Sequence, residues 1–205
     1  MEDPAPKKMP EKEFFKTIMK RIRGIPFSYV IKMTTDCEVY PVTDEDADVV
    51  QEIYEKAKAV IEEVEDEDFS SLRPNEISNR LEDILRTKLN GVIPENKVAG
   101  YPNLLIEHKG KSYYIEVKLA GEEELNSNFR TFYYEPVELA KVKKNACHII
   151  VGFIHRMRSV IGFKIIDASK INVNLKSEFN ASNLELYRRE NILREYQHKP
   201  FKLGN

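Results

Sequence analysis

Gly100–Leu119 reads GYPNLLIEHKGKSYYIEVKL, the pattern of two short strands joined by a tight turn. The first strand follows Pro102-Asn103, Lys109-Gly110-Lys111 makes the turn, and the second strand carries Glu116-Val117-Lys118. Side chains alternate along a strand with a period of two, so Glu116 and Lys118 share one face. Ile115, Val117 and Leu119 take the other face, where an apolar core is expected. A carboxylate and an ammonium thus stand side by side above a buried sheet, an arrangement suited to metal-assisted phosphodiester cleavage.

Upstream, Thr43 is placed to cap a long helix over 44–65, with acidic residues in its first turn where the helix dipole favours them. Its apolar stripe is Val50, Ile53, Tyr54, Ala57, Val60, Ile61 and Val64. A second helix over 75–89 follows Arg73-Pro74 and is closed by Asn90-Gly91. Ile77, Leu81, Ile84, Leu85 and Leu89 form its buried face, with Glu82 at the boundary, where a carboxylate can look into a cleft. A short strand is expected between 92 and 99. Nearer the start, apolar spacing predicts a helix over 13–23, stopped by Gly24-Ile25-Pro26, and a strand over 29–34.

Downstream, Phe129–Tyr134 is rich in aromatic residues, and Glu135-Pro136 opens a predicted helix running to Asn145. Two strongly apolar runs, His148–Ile154 and Val160–Ile166, read as central strands, and a helix over 183–196 precedes a basic tail. The whole is α/β: a mixed β-sheet flanked by helices, with extra helices at both ends. Three parts are expected within one compact domain: a helical extension over 1–74, a core over 75–170, and a C-terminal helix and tail over 171–205.

At 205 residues, with 41% hydrophobic and 32% charged positions, the chain can bury a sizeable core under a charged surface. No apolar run approaches the roughly 18 residues of a membrane span. The first residues are polar and contain no signal-peptide core. Cys37 and Cys147 are far apart, without zinc-ligand or disulfide-framework spacing, so a reducing cytoplasm is the expected setting. The formal net charge of −2 hides an asymmetry. Between Asp44 and Asp68 twelve acidic residues face two lysines, a local charge of −10, which leaves +8 on the rest of the chain. A basic body with one acidic helix turned away suits a polyanionic partner. An ordinary surface with unevenly shared charges gives the same count.

Glu-x-Lys occurs three times, at Glu95–Lys97, Glu107–Lys109 and Glu116–Lys118. Only the third lies inside an alternating apolar run. The residues around it resemble the PD-(D/E)XK nuclease superfamily, most closely its type II restriction endonucleases. The likeness is carried by Leu81-Glu82-Asp83-Ile84-Leu85, by Gly100-Tyr101-Pro102-Asn103-Leu104-Leu105-Ile106, by Tyr114-Ile115-Glu116-Val117-Lys118, and by the passage from Pro136 to Val151. It implies a restriction-endonuclease-like core and Mg²⁺-dependent cleavage of double-stranded DNA. Carried over, the metal ligands are Asn103, Glu116 and the backbone carbonyl of Val117. Lys118 positions or activates the attacking water, and Glu82 assists. The chemistry is consistent: Mg²⁺ takes hard oxygen ligands, and an ammonium beside it stabilises charge developing on the phosphorane.

Asn103 departs from the family pattern, which has Asp there. An amide offers a carbonyl oxygen of similar shape but no charge, so metal binding and cleavage should weaken. Three accounts stand: natural use of Asn with Glu82 compensating, a fold that now only binds DNA, or a natural Asp replaced here by Asn. The third is favoured, because Glu82, Glu116 and Lys118 all remain. Phosphate or base contacts are expected from among Arg73, Arg80, Lys97, Arg130, Lys141, Arg156 and Arg158. The resemblance further implies a homodimer reading a short palindromic site. Two other readings remain: a structure-selective nuclease such as a Holliday-junction resolvase, and a non-cleaving nuclease-fold DNA-binding protein.

Overall fold

The structure is a computed structural model. It describes residues 22–96, 100–127, 132–134 and 141–175, with 13, 16, 17, 20, 184, 188–192 and 194 near the two ends. Arg23–Asn174 forms one compact unit, and Met1–Ile22 with Leu175–Asn205 a second. The first unit holds all the elements named below, its outermost strands running one residue past its bounds. The helices expected over 13–23 and 183–196 fall largely outside the described residues. Ile22 and Arg23 belong to a strand instead, β1 (Ile22–Pro26). Gly24 there has a φ of 72° and donates its N–H to Asn174 Oδ1 at 3.2 Å.

The strand expected over 29–34 is a helix, α1 (Phe27–Thr35). Phe27 and Ile31, four residues apart, are both fully buried, so burial follows the helical period rather than alternation. The β-branched threonines at its end are accommodated by back-bonding: Thr34 donates to Val30 O and Thr35 to Ile31 O, each at 2.8 Å. Strand β2 (Val39–Tyr40) follows, then a 3₁₀ turn over Asp44–Asp46 and helix α2 (Ala47–Val64). The buried residues of α2 are Val49, Ile53, Ala57, Val60 and Val64, while Tyr54 stays half exposed with its ring against Phe163. Helix α3 (Pro74–Lys88) starts with proline in its first turn, and Glu76 accepts the Arg73 N–H at 2.7 Å. Asn90, in the left-handed conformation, ends it as expected.

The remaining strands are β3 (Leu104–His108), β4 (Lys111–Gly121), β5 (Ala146–Arg156), β6 (Ser159–Asp167) and β7 (Asn172–Leu175). A five-stranded sheet runs β2-β5-β4-β3, with β6 also paired to β5; β1 and β7 form a separate two-stranded sheet. The β3–β4 hairpin is antiparallel, and β4 lies parallel to β5. This is the mixed sheet flanked by helices that a restriction-endonuclease-like core requires. Of the strand expected over 92–99, residues 97–99 lie outside the described residues, and 92–96 hold a single bridge, Val92 to Leu105, and a 3₁₀ turn at Pro94–Asn96. Of the helix expected from Glu135-Pro136 to Asn145, residues 135–140 lie outside the described residues, and 141–145 are irregular. That segment hands Val142 to the core, and the Lys143 N–H to the Tyr114 hydroxyl at 3.0 Å.

The sheet separates two apolar clusters. One packs α2 and α3 against Ile115, Val117, Val151 and Phe153, with Leu119 at its edge. The other gathers Phe27, Ile31, Tyr101, Tyr114, Val142 and Ile150 on the opposite face. Here the Tyr101 hydroxyl meets His148 Nδ1 at 2.7 Å, and burial pushes the His148 pKa down to about 3. His148 is therefore a neutral core residue.

Asp46 ties the acidic helix to the hairpin. It is 1% exposed, and its carboxylate accepts from Tyr113 Oη at 2.7 Å, Lys111 Nζ at 3.1 Å and Thr43 N at 2.9 Å. Burial alone would raise its pKa, but these donors outweigh it and hold the group at about 2. Asp46→Asn should destabilise the fold by about 1–3 kcal/mol at neutral pH, measured by denaturant titration. Because the folded pKa is the lower one, the parent loses this contribution as pH falls from 3.8 towards 2. The difference between parent and variant should shrink over that window.

Candidate active site

The hairpin register brings the end of the Pro102-Asn103 segment opposite the middle of β4. Leu104 pairs with Ile115, so Asn103 falls beside Glu116. The Asn103 backbone N–H donates to Glu116 Oε2 at 3.0 Å, and its Oδ1 accepts the Val117 N–H at 2.6 Å. Its Nδ2 donates to Glu82 Oε2 at 2.7 Å. Glu82 follows the fully buried Leu81 on α3, which sets it at the flank of the packed face, where it reaches Asn103. Asn103 therefore joins the helix carboxylate to the strand carboxylate.

Glu116 is 3% exposed, and Lys118, two residues on and on the same face, approaches Glu116 Oε1 at 2.6 Å. Burial raises the Glu116 pKa, against the attraction of Lys118, the Asn103 N–H and Lys141. Glu82, half-buried, is also raised, first by burial and then by the like charge of Glu116. A buried carboxylate that raises the pKa of a second one beside it, in a partly closed place, makes a candidate functional site.

Lys141, expected among the phosphate or base contacts, is 1% exposed, and its charge acts on both Glu82 and Glu116. An ammonium is buried only where opposite charge offsets the loss of water. The signal was present: Lys141 sits between Leu139-Ala140 and Val142, a lysine inside an apolar run. The site thus holds two carboxylates against two lysines and is formally neutral.

The donor set consists of hard oxygens: the carboxylates of Glu82 and Glu116, the Asn103 amide oxygen and the Val117 carbonyl. That chemistry fits a magnesium-type ion, and the amide oxygen keeps a second lone pair beside the one taken by Val117 N–H. Among the described residues, no group of three or more His, Cys, Asp or Glu gathers in a metal-binding cluster. Asn103 is why the site contributes two acids and not three.

The other expected DNA contacts are dispersed. Arg80 pairs with Glu67 at 2.8 Å, and Arg156 forks onto Glu122 at 2.6 and 2.8 Å. Arg158 donates to the Ser70 carbonyl, and Arg73 is exposed at the start of α3. Lys97 and Arg130 lie outside the described residues. None of the four described arginines joins the Glu82–Asn103–Glu116–Lys118 group in any hydrogen bond or ion pair the structure shows.

A mixed sheet carrying this hairpin, flanked by helices, is the core of a restriction-type nuclease. The family model for the type II restriction enzyme MjaV family matches residues 21–190. The chain is also 32% identical to the type II restriction enzyme MjaV of Methanocaldococcus jannaschii, over 87% of this chain and 91% of that protein. The chain belongs to the MjaV family of type II restriction enzymes, and is a site-specific deoxyribonuclease. No solved structure matches it.

Removing Lys141 should expose the electrostatic strain it relieves. Lys141→Met should lower stability by roughly 3–5 kcal/mol at pH 8, because Glu82 and Glu116 lose a counter-charge. Both carboxylates already titrate above their ordinary values, and the loss of the lysine raises them further. The destabilisation should therefore fade as pH falls and they take up protons. A pH-independent change in melting midpoint would contradict the assignment.

Proposed function

We propose that Glu82, Asn103, Glu116 and Lys118 form the site at which this restriction enzyme cleaves double-stranded DNA, with Mg²⁺ as cofactor. Glu116, the Asn103 amide oxygen and the Val117 carbonyl would hold the ion, with Glu82 beside them. When bound, the ion polarises the scissile phosphate and makes a bound water a stronger nucleophile. The observation that carries this reading is the Asn103 bridge, which gathers the two acids of the site within reach of one lysine.

The chain's own groups supply the rest. Lys118 is held against Glu116 at 2.6 Å, so its ammonium is oriented before substrate arrives. From there it steadies the attacking water and the negative charge that grows on the phosphorane oxygens. Glu82, its pKa raised, is suited to take or hold a proton from that water. Lys141 stays behind them as fixed positive charge. The homodimer reading of a palindromic site and the cytoplasmic setting belong to the same proposal. No helix among the described residues is long and apolar enough to cross a membrane.

Asn103 tunes the site towards low activity. Its amide donates to Glu82, where an aspartate would set oxygen against oxygen. The present neutral group gives a dication little to compensate; an aspartate would add the missing negative charge. Asn103→Asp should therefore raise the rate of Mg²⁺-dependent plasmid cleavage by at least about tenfold and yield discrete fragments. It should also lower the melting midpoint in EDTA, and Mg²⁺ should restore it. Cutting of four-way junctions alone would instead favour a resolvase, and no cleavage by Asn103→Asp with any divalent ion would overturn the proposal.

A further inference from the structure

The register of the sheet extends the catalytic face beyond Lys118. Lys118 pairs with Gly152 on β5, and Gly152 pairs with Lys164 on β6. Directly paired residues point to the same side, so Lys118 and Lys164 rise from one face with a glycine between them. Strands lie about 4.8 Å apart, which sets the two lysine Cα atoms about 10 Å apart. The flanking rows are Glu116–Ile150–Ile166 and Ala120–Ile154–Gly162, so β5 and β6 place no acid beside this gap.

Gly152 is not required by the fold. A glycine inside a strand weakens it, and it is kept where the backbone turns left-handed, where a neighbour crowds it, or where a ligand comes close. The first two causes are absent. Its φ is not left-handed, and the register irregularity lies further on, between Ile154 and His155. A Cβ built there would meet Ile166 Cδ1 at 3.7 Å and the Lys164 carbonyl at 3.9 Å, both ordinary contacts. The position nevertheless remains partly open to solvent in a strand paired on both sides. Lys164 is exposed and, among the described residues, makes no hydrogen bond or ion pair. Arg80, Lys111 and Arg156 are by contrast each held by a carboxylate. The side chains of Lys143 and Arg73, exposed and unpaired like Lys164 among the described residues, lie outside the row of Lys118 and Gly152.

We propose that the face over Gly152 seats the DNA backbone next to the phosphate under attack, and that Lys164 holds the neighbouring phosphate. This rests on the reading of Glu116 and Lys118 as the reaction site, and it adds a positioning residue from a strand that the reaction site does not use. A phosphate contact of this kind fixes the register of DNA on the protein without reading its sequence.

Filter binding of linear plasmid DNA across a sodium chloride series, without divalent metal, separates this claim from cleavage. Lys164→Gln should raise the dissociation constant about tenfold near physiological salt, and reduce the slope of log affinity against log salt by about one. Lys164→Arg should keep both, and Lys58→Gln, on the helix packed against the other face, should change neither. Gly152→Leu should weaken binding by a similar factor and Gly152→Ala less, each with a melting midpoint close to the parent's. In Mg²⁺ the Lys164→Gln effect should fall on KM, with kcat within about twofold. The proposal is overturned if Lys164→Gln leaves the salt slope unchanged, or if folded Gly152→Leu binds as tightly as the parent. Inactivity of every form in Mg²⁺ would count against the reaction site, while the binding data would still decide this claim.

Discussion

A carboxylate buried to 3% exposure is the constraint that organises this molecule. Left alone, Glu116 would take up a proton, since a charge out of water is far costlier than a neutral acid. The structure offsets that cost from three directions: the Lys118 ammonium on the same strand, the Asn103 N–H from the adjacent strand end, and Lys141 from the segment before β5. Each comes from a different part of the chain. The site therefore exists only when the hairpin and the approach to β5 are assembled, and helix α3 adds Glu82 through its bond to Asn103.

The two faces of the sheet divide the work. Helices α2 and α3 close one face over Ile115 and Val117. The acidic α2 thus lies on the side away from Glu116 and Lys118, where its charge does not oppose a polyanion. Part of that charge is answered by the hairpin turn. Lys109 and His108 meet Asp48, and Lys111 meets Glu45 and Asp46. The ties pin the turn to α2 and hold β4 in register, which fixes where Glu116 and Lys118 stand. The opposite face is filled by tyrosines, Phe27 and neutral His148 near the start of β4, and is less enclosed at Lys118 and beyond.

Strong local patterns made the hairpin legible: alternation in β4, a glycine turn, and Glu-Val-Lys inside an apolar strand. The buried face of α3 and the two apolar strands now seen as β5 and β6 followed from the same kind of local pattern, while their pairing order came from the structure. Where local and tertiary signals conflicted, sequence reasoning failed. Residues 29–34 are rich in β-branched side chains and look like a strand, yet the spacing of Phe27 and Ile31 against the core makes them helical. Lys141 read as a surface cation because burial of a charge depends on partners far away in sequence. Asn103 was recognised as a departure from the family pattern. Its amide bond to Glu82, on a helix 21 residues earlier, could not be read from spacing alone.

The central claim is that Glu82, Asn103 and Glu116 frame one divalent-metal site beside Lys118. The most direct measurement is anomalous diffraction from crystals of the chain soaked in Mn²⁺, with Asn103→Asp alongside. The account predicts one strong peak within coordinating distance of a Glu116 carboxylate oxygen and residue 103, of higher occupancy with Asp. Absence of a peak at Glu116 in both proteins, or a dominant peak elsewhere in the molecule, would contradict it.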